Sequence, residues 1–124
     1  MVRSVLSATT LIGDKVTNTA GENLGDIKDL MIDLDSGCVR YAVIDFGGFL
    51  GVGDKYFAVP WRALTVDQKN ECIVFDIEKE RLENAPGFDK DNWPDMANDE
   101  WAKEVHAFYG VEPSGPSTPE SSNK

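Results

Sequence analysis

Between Leu11 and Ala85 the apolar residues come in short runs, parted at close intervals by turn chemistry at Asn18 to Gly21, Asp35-Ser36-Gly37, Gly47 to Asp54 and Asp67 to Asn70. Short strands between frequent turns predict an antiparallel all-β domain. In the longest run the apolar positions are Leu24, Ile27, Leu30, Ile32 and Leu34. The step from Leu24 to Ile27 breaks the two-residue alternation of a flat strand. At least one β-bulge is therefore expected, bending the strand around a corner.

Two further strands are apolar on both faces. In one, Val39, Tyr41 and Val43 alternate with Ala42, Ile44 and Phe46; in the other, Ile73, Phe75 and Ile77 alternate with Cys72 and Val74. A strand of a small barrel turns one face inward, so the other must be covered. Each large apolar side chain left in water forgoes about 1.5 to 3 kcal/mol of burial, and several together form a patch of the sort that marks an interface.

Two downstream segments could supply the cover. EKERLENAP reads as a short helix stopped by Pro86. In DEWAKEVHAFYG, residues Trp101, Val105, Phe108 and Tyr109 follow the spacing of one apolar helical stripe. Asn98 is placed to cap that helix and Gly110 to end it, while Asp99 and Glu100 suit the positive end of its dipole. Whether this helix packs on its own sheet or a neighbour's is open at this stage. Past Gly110 the run is rich in Pro and Ser, and its few apolar groups cannot offset the entropy of ordering. The expected organisation is an N-terminal arm (1–10), a β domain (11–85), an acidic extension with the amphipathic helix (86–110) and a disordered tail (111–124).

Charge narrows the function classes. Acids outnumber bases by 22 to 12, a net charge of -10, and the excess runs through both the β domain and the extension. Such a surface repels phosphate backbones and anionic lipid, so nucleic-acid binding and unaided membrane docking are not expected. No apolar run is long enough to cross a bilayer, and the first residues lack the apolar stretch of a secretory signal; a cytoplasmic location is expected. Cys38 and Cys72 lie far apart in sequence, outside any C-x-x-C pattern, and read as free thiols.

The candidate chemical motifs fail on inspection. Gly47, Gly48, Gly51 and Gly53 suggest a phosphate loop, but Asp54-Lys55-Tyr56 stands where Lys-Ser/Thr is required and a strand follows where a helix is needed. These glycines are expected to take positive φ in a tight connection, with Phe49 and Leu50 at its tip either tucked into the barrel end or presented to a partner. Asp33-Leu34-Asp35-Ser36-Gly37 opens like a calcium loop, yet Cys38 stands where the loop glycine belongs and the closing glutamate is missing. A turn is expected there. The sole histidine, His106, has no sequence neighbour that would make it a metal ligand or base, and reads as a solvated helical residue. Trp61 is expected to plug a barrel end. No catalytic residue, metal ligand or cofactor is assigned.

LIGDKV, GENLGDIKDLMIDLDSG, VRYAVIDFGGFLGVGDKYFAVPW and ERLENAP, in that order and spacing, resemble the PRC-barrel family. The most specific parts are GGFLGVG followed by AVPW, and the closing LENAP. The resemblance implies a mainly β fold: a small six-stranded PRC-type barrel with a short helix after the last strand, shared with the cytoplasmic domain of the photosynthetic reaction centre H subunit and the C-terminal domain of the ribosome-maturation factor. It implies assembly and protein contacts, and no catalytic residue to carry over. The expected function is a non-catalytic interaction or assembly module that self-associates as a homodimer, with a further protein partner unidentified. The alternative is an adaptor subunit of a membrane or photosynthetic electron-transfer complex. The residues expected at the partner surface are Tyr41, Val43, Ile44, Phe46, Phe49, Leu50, Ile73, Phe75, Trp101, Val105 and Phe108.

Overall fold

The computed structural model describes residues 5–51 and 53–111; the expected disordered tail beyond Val111 and the start of the N-terminal arm lie outside them. The strands are β1 (Lys15–Thr17), β2 (Asn23–Ile32), β3 (Val39–Asp45), β4 (Lys55–Pro60), β5 (Leu64–Asp67), β6 (Cys72–Phe75) and β7 (Phe88–Asp89). They form one sheet in the order β5-β6-β1-β2-β3-β4-β7, antiparallel except for the β1/β6 pair. Helices α1 (Ala8–Leu11), α2 (Gly47–Leu50), α3 (Lys79–Glu83) and α4 (Asp99–Tyr109) lie around it.

The mainly β class holds, with two corrections. The sheet has seven strands rather than six, and it is open: β5 and β7 end it without pairing to each other. The seventh strand is β7, and the sheet would be open without it, because β4 and β5 are not paired. Strand β7 takes the outer edge of β4, fixed by the Lys55–Asp89 ion pair at 2.6 Å and by Phe88 and Trp93 packing edge-on to Tyr56. Two residues carry no legible periodicity, and they arise in the acidic extension.

The expected bulge is present. Opposite β1, Val16 pairs with Gly25 and Thr17 with Asn23, so Leu24 is the extra residue, and a second register shift follows opposite β3 between Ile27 and Asp29. These shifts keep Leu24, Ile27 and Leu30 on the buried face at three-residue spacing. Gly25 sits at this corner because a Cβ there would overlap the backbone carbonyl of Asp45. Gly25→Ala should therefore force the β2/β3 ladder apart and cost about 1 to 3 kcal/mol, as overpacking does. Chemical denaturation checks this; an unchanged midpoint would mean the corner yields freely.

Strand β3 resolves the two-faced pattern. Cross-strand pairing sets Leu30, Ala42 and Val59 in one row and Ile27, Ile44 and Phe57 in the next, which places Ala42 and Ile44 on the sheet's inner face. Tyr41 lies on the other face, and Val43 shares it. That face is covered by α4. Trp101 meets the Tyr41 ring edge-on at 5.1 Å, and His106 Nε2 lies 3.0 Å from the Tyr41 hydroxyl. At the far end of α4, Tyr109 packs on Phe75 at 5.8 Å, and Arg81 of α3 donates to the Phe108 carbonyl. The helix is capped as expected: the Asn98 side chain accepts from Trp101 N–H at 3.0 Å, and Gly110 ends it with φ 71°.

Three local expectations are corrected. The residues Gly47–Leu50 of the glycine-rich connection form α2, its first N–H held by the Asp45 carboxylate at 2.7 Å, and positive φ is seen at Gly51, just past the helix, rather than at Gly47 or Gly48. His106 is buried at 2% exposure rather than solvated. Trp61 is half-buried at the head of a 3₁₀ turn, not a buried plug. Cys38 and Cys72 are free thiols, and α3 ends ahead of Pro86 as expected.

Candidate interaction surface

The residues expected to face a partner are inside the chain's own core. Tyr41, Val43, Ile44, Phe46, Ile73, Phe75 and Val105 are buried. Phe49, Leu50, Trp101 and Phe108 are half-buried against that core, with the Lys79 ammonium over the Phe49 ring at 5.1 Å. The expectation of an outer apolar patch at residues 39 to 46 and 72 to 77 is thus corrected: Ile44, Phe46, Ile73 and Phe75 are packed in the chain's own core, and α4 covers Tyr41 within the same chain. The volume argument for self-association loses its basis with them. For Phe49 and Leu50, the tucked alternative is the one observed.

Of the exposed large apolar side chains among the described residues, Val5, Ile12, Ile32, Leu34 and Trp93, two lie together elsewhere. Ile32 is 50% exposed and Leu34 94%, at the end of the β2–β3 hairpin. With Met31, Pro94 and Met96 they wall a groove of about 600 Å³. Local chemistry sets this shape. The Asp33 N–H donates to the Cys38 carbonyl at 2.8 Å and closes the hairpin, and Asp33 Oδ1 accepts from the N–H groups of Asp35 at 2.8 Å and Ser36 at 3.3 Å. The calcium-like string is therefore a turn whose first carboxylate serves its own backbone. The turn projects Leu34 outward, and a register shift between Met31 and Ile32 turns the end of β2 toward solvent. Elsewhere along the groove, Asp95 Oδ1 accepts from Ala97 N–H at 3.0 Å and fixes the loop that carries Met96.

The floor is Tyr41, whose hydroxyl is engaged by His106. Burial pushes the Tyr41 phenol above its ordinary pKa, partly offset by the Arg40 guanidinium. Arg40 lies over the Tyr41 ring at 5.6 Å and reaches the Asp33 carboxylate at 3.8 Å. Sequence reasoning missed this surface, although one signal was there: Leu34 is a large apolar residue standing between two aspartates inside turn chemistry, where nothing local can bury it.

Among the described residues no group of three or more His, Cys, Asp or Glu side chains is arranged to hold a metal ion, and no helix is long and apolar enough to cross a membrane. The family model for the PRC-barrel domain matches residues 4–82. The chain belongs to the PRC-barrel family, and β7 and α4 lie beyond the matched region. No curated protein matches the chain.

Proposed function

We propose that this protein is a cytoplasmic, non-catalytic interaction module that meets its partner through the hairpin-end groove. The observation that carries the reading is the exposure of Ile32 and Leu34 in one groove beside Met31 and Met96; the other exposed large apolar side chains, Val5, Ile12 and Trp93, do not line it. Contiguous apolar exposure of this kind is retained where something else covers it. The sole imidazole, 2% exposed and bonded to Tyr41, is poorly placed to serve a substrate, which favours binding over catalysis.

Ile32→Ser with Leu34→Ser should leave stability within about 0.5 kcal/mol, because both side chains are exposed. Partner binding should weaken at least tenfold, which corresponds to about 1.4 kcal/mol. Quantitative affinity capture from the source cell, wild type against the double variant, makes the comparison. Equal recovery of the same partner by both would sink the assignment.

Self-association is the second reading, now carried by Ile32 and Leu34 rather than by the covered strands. The net charge of -10 on each copy opposes it. Light scattering at micromolar concentration separates the two: a dimer abolished by the double variant would favour it, and a monomer would end it. An adaptor role in a membrane complex draws on resemblance alone and would need the same groove to be occupied in material purified from membranes.

A further inference from the structure

We propose that the groove selects a partner segment in which one large apolar side chain is flanked by lysine or arginine. This deepens the interaction-module reading and rests on it. Beside its apolar side chains the groove is lined by three carboxylates, Asp33, Asp35 and Asp95, against one guanidinium, Arg40, and of the three Asp35 and Asp95 are exposed. Arg40 is spent on Asp33, whose other oxygen serves the turn. Asp95 keeps one oxygen beyond its bond to Ala97 N–H, and the Asp35 carboxylate makes no hydrogen bond or ion pair among the described residues. The opening therefore combines apolar side chains with an excess of negative charge, within a chain of net charge -10.

That arrangement chooses among occupants. A second copy of this chain or an anionic lipid surface would bring like charge to these carboxylates. An acidic segment would do the same, with a cost of about 1 kcal/mol for each pair of like charges held near 4 Å even in full water. A purely basic segment gains the carboxylates but leaves Ile32 and Leu34 wet. Only an apolar side chain between cations satisfies both parts of the surface, and steering by the carboxylates would speed its approach at low salt. The groove is an open trough rather than an enclosed cavity, since Leu34 on its wall is 94% exposed. It suits a side chain on a passing backbone better than a free small molecule, most of whose surface would have to be enclosed. Met31 and Met96 both line it, and thioether side chains repack around differently shaped neighbours. Leucine, methionine and phenylalanine anchors should accordingly be accepted with similar affinity.

Three heptapeptides test this on the full chain. The first has two lysines at each end and phenylalanine between two central glycines; the second replaces the lysines by glutamates; the third replaces the phenylalanine by glycine. Amide chemical shifts and calorimetry at low salt give site and affinity. The first peptide should bind at least tenfold tighter than either other, shift residues 31 to 35 and 94 to 97, and weaken as salt rises. Asp35→Lys, a change at an exposed turn position, should narrow its advantage over the glutamate peptide. Equal or tighter binding of the glutamate peptide would overturn the charge preference. Equal binding of the third peptide would show unspecific attraction and overturn the anchor. Shifts outside the groove, or no binding by any peptide, would overturn the inference as a whole. The interaction-module reading fails separately, when Ile32→Ser with Leu34→Ser leaves the cellular partner bound.

Discussion

A chain ended at Ala97, and so lacking α4, should associate or precipitate at concentrations where a chain ended at Val111 remains dispersed. Helix α4 buries Ala102, Val105, His106 and Tyr109 and half-buries Trp101 and Phe108. Each large apolar side chain returned to water forgoes about 1.5 to 3 kcal/mol. Leaving out the helix also removes the entropy cost of ordering its 11 residues, about 1 to 2 kcal/mol for each. In folding free energy the two effects largely cancel, so the shortened chain can keep its sheet. What nothing compensates is the bare outer face of β3, where Tyr41 loses both Trp101 and His106, together with the Phe75 ring left by Tyr109. These bared apolar side chains should seek another surface. Light scattering and binding of an apolar dye read the outcome. A monomeric, dye-free chain ending at Ala97 would mean that the helix is not the cover.

The same contact explains which parts of the molecule could be foreseen. Features with local causes were legible: the Leu24 bulge from a broken alternation, the α4 ends from Asn98 and Gly110, the hairpin turn from Asp33 to Gly37. PRC-barrel membership was legible for a similar reason, because the matching strings are contiguous. The alternation in Val39 to Phe46 correctly required cover on both faces of β3. It could not name the cover, because Tyr41 and His106 stand 65 positions apart and their meeting depends on the path of the chain between them. Assigning the cover to a second molecule put at the partner surface seven residues that are buried within the chain. Strand β7 was hidden by its length, and α2 by glycines that read as loop until Asp45 caps them. The groove was hidden differently: its walls come from two segments, 31–35 and 94–97, and neither is apolar enough alone to attract notice.

Alkaline conditions should unfold the protein through its tyrosines, and Tyr109→Phe should protect it. The Tyr109 hydroxyl is buried and has no hydrogen-bond partner among the described residues, and burial holds its phenol far above the ordinary pKa. Burial raises the Tyr41 phenol as well. Unfolded, each ionises near pH 10, so above that pH the unfolded chain sheds protons that the folded chain keeps. Stability is then full below about pH 10 and falls as pH rises, by about 1.4 kcal/mol per pH unit for each tyrosine, until the folded group itself ionises. Tyr109→Phe removes one such contribution and also a hydroxyl buried without a partner, so on the order of 1 kcal/mol should be gained at pH 7. Tyr41→Phe supplies the contrast: it too should flatten the alkaline loss, but at pH 7 it should cost about 1 to 3 kcal/mol, because it strips His106 Nε2 of its buried bond to the Tyr41 hydroxyl. Urea midpoints for the three proteins at pH 7, 10 and 11 decide the matter, since ionisations common to all of them cancel in the differences. Parallel curves would mean that the two phenols titrate alike in folded and unfolded chains. Opposite signs at pH 7 with a shared flattening above pH 10 would show that the same lost hydroxyl stabilises or destabilises this fold according to whether it had a partner.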